Sequence, residues 1–163
     1  MVPVAYAFRP LCEDDLSRVE GWLTMPHVVE WWPAGVKQLD RIRAHMGDPA
    51  IDLFIVSASD RPIGYLQCYD PTAEQDHPFR DQPAGTRGID QFIGEPDMIN
   101  RGHGSALTRA FVAQLFAAGT PRVVTDPDPA NGRAVRAYQK AGFQAEGLVD
   151  TPWGHTLLMV CQP

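Results

Sequence analysis

Asn131-Gly132-Arg133-Ala134-Val135-Arg136-Ala137-Tyr138-Gln139-Lys140-Ala141-Gly142-Phe143 is the stretch whose reading decides the fold. Ala130 to Ala141 has the composition of a helix, and Gly142 marks its end. Asn131 and Tyr138 are seven positions apart, so they share one helical face two turns apart. Read on its own, Asn131 suits a helix cap and Tyr138 a packing aromatic.

About thirty residues earlier stands Arg101-Gly102-His103-Gly104-Ser105. The helix that follows carries Leu107, Ala110, Phe111 and Leu115 at apolar spacing and ends near Gly119. Glycines at a helix start let the backbone approach an anion, and the unpaired N–H groups of the first turn point at it. Ser105 adds a hydroxyl and Arg101 a charge, a set that suits a pyrophosphate. There is no GxxxxGK[ST], and no third Gly at dinucleotide-fold spacing. A GxG turn alone is equally compatible with an ordinary tight turn.

Outward from these two segments, Val4 to Arg9 alternates like a strand, and a helix is expected from Glu13 to Met25, stopping before Pro26. A second helix is expected from Val36 to Met46. Ile51 to Ser57 and Ile63 to Tyr69 form a hairpin around Ser59-Asp60-Arg61-Pro62. Asp70 to Gly85 is polar and Pro-rich, a loop. Strands follow at Arg87 to Ile93 and around Val123-Val124, and Phe143 to Val149 with His155 to Val160 makes a terminal hairpin. The order β-α-α-β-β-β-α-β-α-β-β implies a single α/β domain, 1–163, with a central mixed sheet flanked by helices.

The 163 residues include 44% hydrophobic residues, enough for a folded core. Fourteen Lys and Arg against twenty Asp and Glu leave a net charge of −6, which argues against nucleic acid and is compatible with a cationic partner. No apolar run is long enough to span a bilayer, and the N-terminus lacks the pattern of a signal peptide, so a cytoplasmic protein with no membrane partner is expected. Cys12, Cys68 and Cys161 are widely spaced, without CxxC or a metal-ligand pattern, so no metal is expected.

The stretch from Asn131 to Phe143 resembles the signature of the GNAT superfamily of N-acetyltransferases, Asn-x-x-Ala-x-x-x-Tyr-x-Lys-x-Gly-Phe, along its whole length. The turn Arg101 to Ser105 resembles that superfamily's pyrophosphate loop, in the right order and on the right elements. Four further pieces resemble segments of aminoglycoside 6'-N-acetyltransferases: His27-Val28-Val29-Glu30-Trp31-Trp32, Pro62 to Tyr69, Arg87-Gly88-Ile89-Asp90-Gln91, and Thr125-Asp126-Pro127-Asp128-Pro129.

The resemblance implies a GNAT fold and direct acetyl transfer from acetyl-CoA to a primary amine, most naturally the 6'-amino group of an aminoglycoside. It implies that Arg101, Gly102, His103, Gly104 and Ser105 cradle the pyrophosphate, that Asn131 helps hold CoA, and that pantetheine follows the strand near Phe92 and Ile93. Tyr138 would protonate the departing thiolate, a role a phenol suits because its ordinary pKa, ~10, is near that of a thiol. Asp90 would align the amine and help accept its proton, and Asp126 would add negative potential. Trp31, Trp32, Gln67 and Tyr69 are the remaining acceptor-side candidates, although both Trp residues also suit a core and Gln67 and Tyr69 alternate along one strand face. The expected partner is a small cationic amine, and the expected state a monomer or weak dimer. Three alternatives remain: a siderophore-type lysine or hydroxylysine N-acyltransferase using His27, Trp31 and Asp90; a GNAT-like module that binds acyl-CoA without turnover; and acetylation of protein N-termini.

Overall fold

The computed structural model describes residues 3–163. In chain order the elements are β1 (Tyr6–Pro10), a 3-10 turn (Glu13–Asp15) leading into α1 (Leu16–Leu23), α2 (Pro26–Val29), α3 (Gly35–His45), β2 (Ile51–Ala58), β3 (Arg61–Tyr69), β4 (Arg87–Ile93), a 3-10 turn (Pro96–Met98), α4 (His103–Ala117), β5 (Val123–Thr125), α5 (Gly132–Lys140), β6 (Gln144–Thr151) and β7 (Gly154–Cys161). The strands are hydrogen-bonded in the order β1-β2-β3-β4-β5-β7-β6. The sheet is mixed: β4 and β5 run parallel, whereas β1 with β2, β5 with β7 and β6 with β7 are antiparallel.

The expected elements are present, with α2 and the short 3-10 turn at Pro96–Met98 in addition. The helix expected to run through to Met25 is a 3-10 turn followed by α1, and the chain then re-enters a helix at Pro26. Proline at a first helical position lacks only an N–H that would be unpaired there, so the residue that stops α1 also starts α2. The β2–β3 connection is a two-residue loop whose central residues, Ser59 and Asp60, both have positive φ (46° and 70°). That backbone matches the twist of the flanking strands.

The described chain divides into two compact units. The first comprises the residues through Gln67 together with Gln91–His103. Its core gathers Val19, Trp22 and Leu23 of α1, Leu39 and Ile42 of α3, and Leu53, Ile55, Tyr65 and Phe92 of the strands. At the start of α1, Asp15 accepts from the Cys12 backbone N–H at 2.9 Å and pairs with Arg9 at 2.7 Å. The second unit is Cys68–Asp90 with Gly104–Pro163. There Phe79, Val124, Leu158 and Val160 form a buried cluster. The polar loop expected over Asp70 to Gly85 is anchored by Phe79, which is 3% exposed.

α5 shows how the decisive stretch works locally. Asn131 caps it, its side-chain oxygen accepting from the Ala134 N–H at 3.2 Å. At the other end Gly142 takes φ +106°, a conformation that side chains with a Cβ disfavour. The Gly142 N–H then donates to the Gln139 carbonyl and the Phe143 N–H to the Tyr138 carbonyl. This is a Schellman stop, and its accompanying apolar contact is Tyr138 against Phe143, with ring centroids 5.4 Å apart. The helix terminator thus positions the Tyr138 ring.

Candidate active site

In the second unit, β4 and β5 pair only briefly. Arg87 lies opposite Val123 and Gly88 opposite Val124, and the next link is the Thr125 hydroxyl donating to the Ile89 carbonyl at 2.9 Å. Carrying that register one step further sets Asp90 beside Asp126, just where β5 has ended and β4 continues to Ile93. Two carboxyls so placed oppose each other's ionisation. Burial and the neighbouring Asp90 raise the Asp126 pKa to about 7, while hydrogen bonds from Trp153 and Thr156 favour its anion. The Trp153 bond is 2.8 Å from Nε1 to an Asp126 oxygen.

Tyr69, at the end of β3, is buried and lies over Gly88. A Cβ added at Gly88 would come within 2.2 Å of the phenol ring, so glycine there is what admits the ring. The Tyr69 hydroxyl has no hydrogen-bond partner in the protein. Burial, then the charges of Asp90, Asp126, Cys68 and Tyr138, hold its pKa well above the usual value, so it remains a donor. His77 stacks between Tyr69 and Trp153, with centroids 5.3 Å and 5.7 Å away, and it also meets Phe79 at 5.5 Å. Tyr138, buried at 4% exposure, is within electrostatic reach of Tyr69.

The Gly-rich turn leads into α4 at His103. Asn100 and Gly102 both take left-handed backbone, with φ 60° and 82°. A Cβ on Gly102 would meet nothing within 4 Å, so its demand is conformational and the space beside it is open. Arg101 is exposed, and His103, Gly104 and Ser105 are half-buried at the helix start. The His103 Nδ1 lies 2.7 Å from the Tyr6 hydroxyl. These groups fit an anionic pyrophosphate in chemistry and in room.

Other expected site residues have different surroundings. Phe92 turns its ring into the core of the first unit, at 5.1 Å from Trp32 and 5.5 Å from Tyr65, so only its backbone is available to a ligand. The Ile93 carbonyl lies 2.9 Å from His27 Nε2. Trp32 packs on Tyr65 and Phe92, the core alternative for that residue, and Trp31 is half-buried. Gln67 accepts from the Tyr65 hydroxyl at 2.8 Å, while the buried Gln91 side-chain oxygen has no partner in the protein. Asn131 is the cap of α5, with its oxygen used and its NH2 still a donor. Sequence reasoning gave no place to His77, Trp153 or Thr156. Their one outward sign is Trp153, an apolar side chain 53% exposed in the turn between β6 and β7. Among the described residues no group of three or more His, Cys, Asp or Glu could hold a metal ion, and no helix is long and apolar enough to cross a membrane.

The model of the acetyltransferase (GNAT) domain matches residues 12–151. An aminoglycoside N(6')-acetyltransferase type 1 of Klebsiella pneumoniae is 35% identical over 93% of this chain and 80% of its own length. The structure of AAC(6')-Ib in complex with paromomycin and acetyl-CoA matches at TM-score 0.86 and 32% identity, covering 97% of this chain and 93% of the other. The same enzyme with coenzyme A and kanamycin matches at TM-score 0.86 and 33% identity, covering 97% and 95%.

The chain belongs to the GNAT family of acetyltransferases. Its fold is the GNAT fold, its reaction is acetyl transfer to an amine, and its cosubstrate is acetyl-CoA.

Proposed function

We propose that this enzyme acetylates the 6'-amine of an aminoglycoside by direct transfer within one 163-residue catalytic domain, as a monomer or weak dimer in the cytoplasm. The observation that carries the reading is the pair Asp90 and Asp126 at the parting of β4 and β5, two carboxyls at one place in an acidic chain. Such a pair attracts an ammonium group, and the similarity to aminoglycoside N(6')-acetyltransferases supports an amino sugar as its carrier.

In this mechanism Asp90 holds the ammonium and takes its proton, directly or through water, because only the neutral amine attacks a thioester. Asp126 adds negative potential, and Tyr69 offers its unspent O–H. Gln67 and Trp31 remain candidates for outer contacts, whereas Trp32 serves the core. Arg101 to Ser105 hold the pyrophosphate with backbone N–H groups, and the Asn131 NH2 adds a donor. The backbone at Phe92 and Ile93 aligns pantetheine, and an N–H of β4 polarises the thioester carbonyl. Tyr138 gives its proton to the leaving thiolate. Holding both reactants in one geometry contributes much of the acceleration.

The test is thiol release from acetyl-CoA with kanamycin and ribostamycin beside lysine and hydroxylysine. Saturable turnover with the aminoglycosides, with the product acetylated at the 6'-amine, is expected. Turnover with the lysine-type amines alone would move the enzyme to the siderophore-type reading, and no turnover with any amine would leave only acyl-CoA binding. Asp90→Asn is expected to lower kcat/KM for the acceptor by at least 100-fold, and Tyr138→Phe to lower kcat by a similar factor. Neither should change acetyl-CoA affinity more than about 3-fold. Unchanged acceptor kinetics in the first, or unchanged kcat in the second, removes that residue from its role.

A further inference from the structure

Trp153 stands in the two-residue loop between β6 and β7, with about half of its surface open. It is held from two sides. Its one N–H is spent on Asp126 at 2.8 Å, and its ring packs on His77, which continues to Tyr69 and to the buried Phe79. A hairpin tip is thereby tied to the core of its unit and to an acid of the site, by a side chain that can donate but not accept. Nothing in the fold of the hairpin requires this, because Thr151 and Gly154 close the loop themselves through the Thr151 hydroxyl.

The groups around Asp126 show why a donor matters there. Asp90 faces it from β4 and Tyr69 lies within electrostatic reach from β3, and neither supplies positive charge. His77, behind the indole, is kept neutral at neutral pH because burial lowers its pKa. The two named groups that favour the Asp126 anion are the Trp153 N–H and the Thr156 hydroxyl.

We infer that Trp153 is a positioning residue for the acceptor, its indole N–H holding the Asp126 carboxylate beside that of Asp90 while its open ring face receives the apolar side of the amine's carrier. The inference rests on the function proposed above. An acceptor fitted to this arrangement carries an ammonium group next to a flat C–H-lined face, as an amino-substituted pyranose does, since such a face packs on an indole. The ring contributes area and the N–H sets charge, so the two parts are separable by substitution.

Trp153→Phe keeps the ring against His77 and removes the N–H. Loss of a hydrogen bond to the Asp126 anion makes that carboxyl harder to ionise. The acidic limb of kcat/KM for kanamycin is then expected to move up by roughly half to one pH unit, with the KM for acetyl-CoA unchanged. Trp153→Ala, which also removes the ring, should keep that shift and in addition raise the KM for kanamycin roughly 10-fold. An unmoved limb in Trp153→Phe overturns the inference. A purely structural indole would change stability and leave the pH profile in place.

A second readout needs no turnover. The Trp153 emission, taken as native enzyme minus Trp153→Phe, should titrate well above the ordinary carboxyl range, because burial and Asp90 raise the Asp126 pKa to about 7, and Asp126→Asn should abolish the step. A flat titration, or one that survives Asp126→Asn, overturns the Trp153–Asp126 link. If native enzyme acetylates no aminoglycoside, the proposed function fails, while this titration still decides the link.

Discussion

Asp126 is expected to act in opposite senses on the fold and on the proposed reaction. Its pKa is raised to about 7 from an ordinary 3.8, chiefly by burial. Between those pH values the folded chain keeps a proton that the unfolded chain releases, so this residue makes stability fall as pH rises from about 4 to 7. Asp126→Asn, neutral at every pH, is therefore expected to stabilise the protein by about 1–3 kcal/mol at pH 8 and by little at pH 4. Thermal or urea unfolding at the two pH values measures it, and equal effects at both would show that the carboxyl is not held protonated. The same variant should lose acceptor activity. Asp15 has the opposite sign: its hydrogen bonds from Arg9 and Cys12 hold its pKa well below the usual range, and the stability they lend is lost as acid protonates it. At this scale the motif could propose Tyr138 and Asp90, because each sits in a contiguous segment. It could not propose Trp153, since its partner Asp126 is 27 residues away and only the fold brings them together.

Among the elements, β4 is where packing and site coincide. Its Gly88 makes room for Tyr69, whose ring would be 2.2 Å from an added Cβ. Tyr69 is buried and backed by His77, so it cannot swing aside freely. Gly88→Ala is expected to cost about 1–3 kcal/mol in stability and to impair acceptor use while sparing acetyl-CoA binding. A variant with native stability and native acceptor kinetics would show that Tyr69 moves without consequence. The helices and strands themselves were largely readable, because apolar spacing and glycine or proline boundaries are local signals. α2 escaped for a physical reason: four residues starting at a proline give no periodicity, and Pro26 reads as a stop as readily as a start. The loop from Asp70 to Gly85 was expected and is present, but the burial of one of its side chains was not. Nothing in the polar composition around Phe79 placed its ring in the core, because its partners Val124, Leu158 and Val160 lie far along the chain.

For the molecule as a whole, net charge −6 should act on the acceptor before any contact is made. Long-range attraction to a polycation is screened by salt, with a Debye length of about 10 Å at 0.1 M. Raising ionic strength from about 20 to 200 mM is expected to lower kcat/KM for kanamycin several-fold and to change that for a simple monoamine little. Equal salt dependence for both would confine the electrostatics to the site. The sequence by itself determined the family, most of the order of elements and the cosubstrate, and it proposed Asp90 and Tyr138 for the chemistry, since these readings rest on contiguous motifs and local periodicity. Only the tertiary structure decided that β4 and β5 part where Asp90 and Asp126 stand. It likewise placed the Phe92 ring in a core and Trp153 on Asp126. Register between strands and burial of a charge arise from contacts between residues distant along the chain, and no local pattern encodes them.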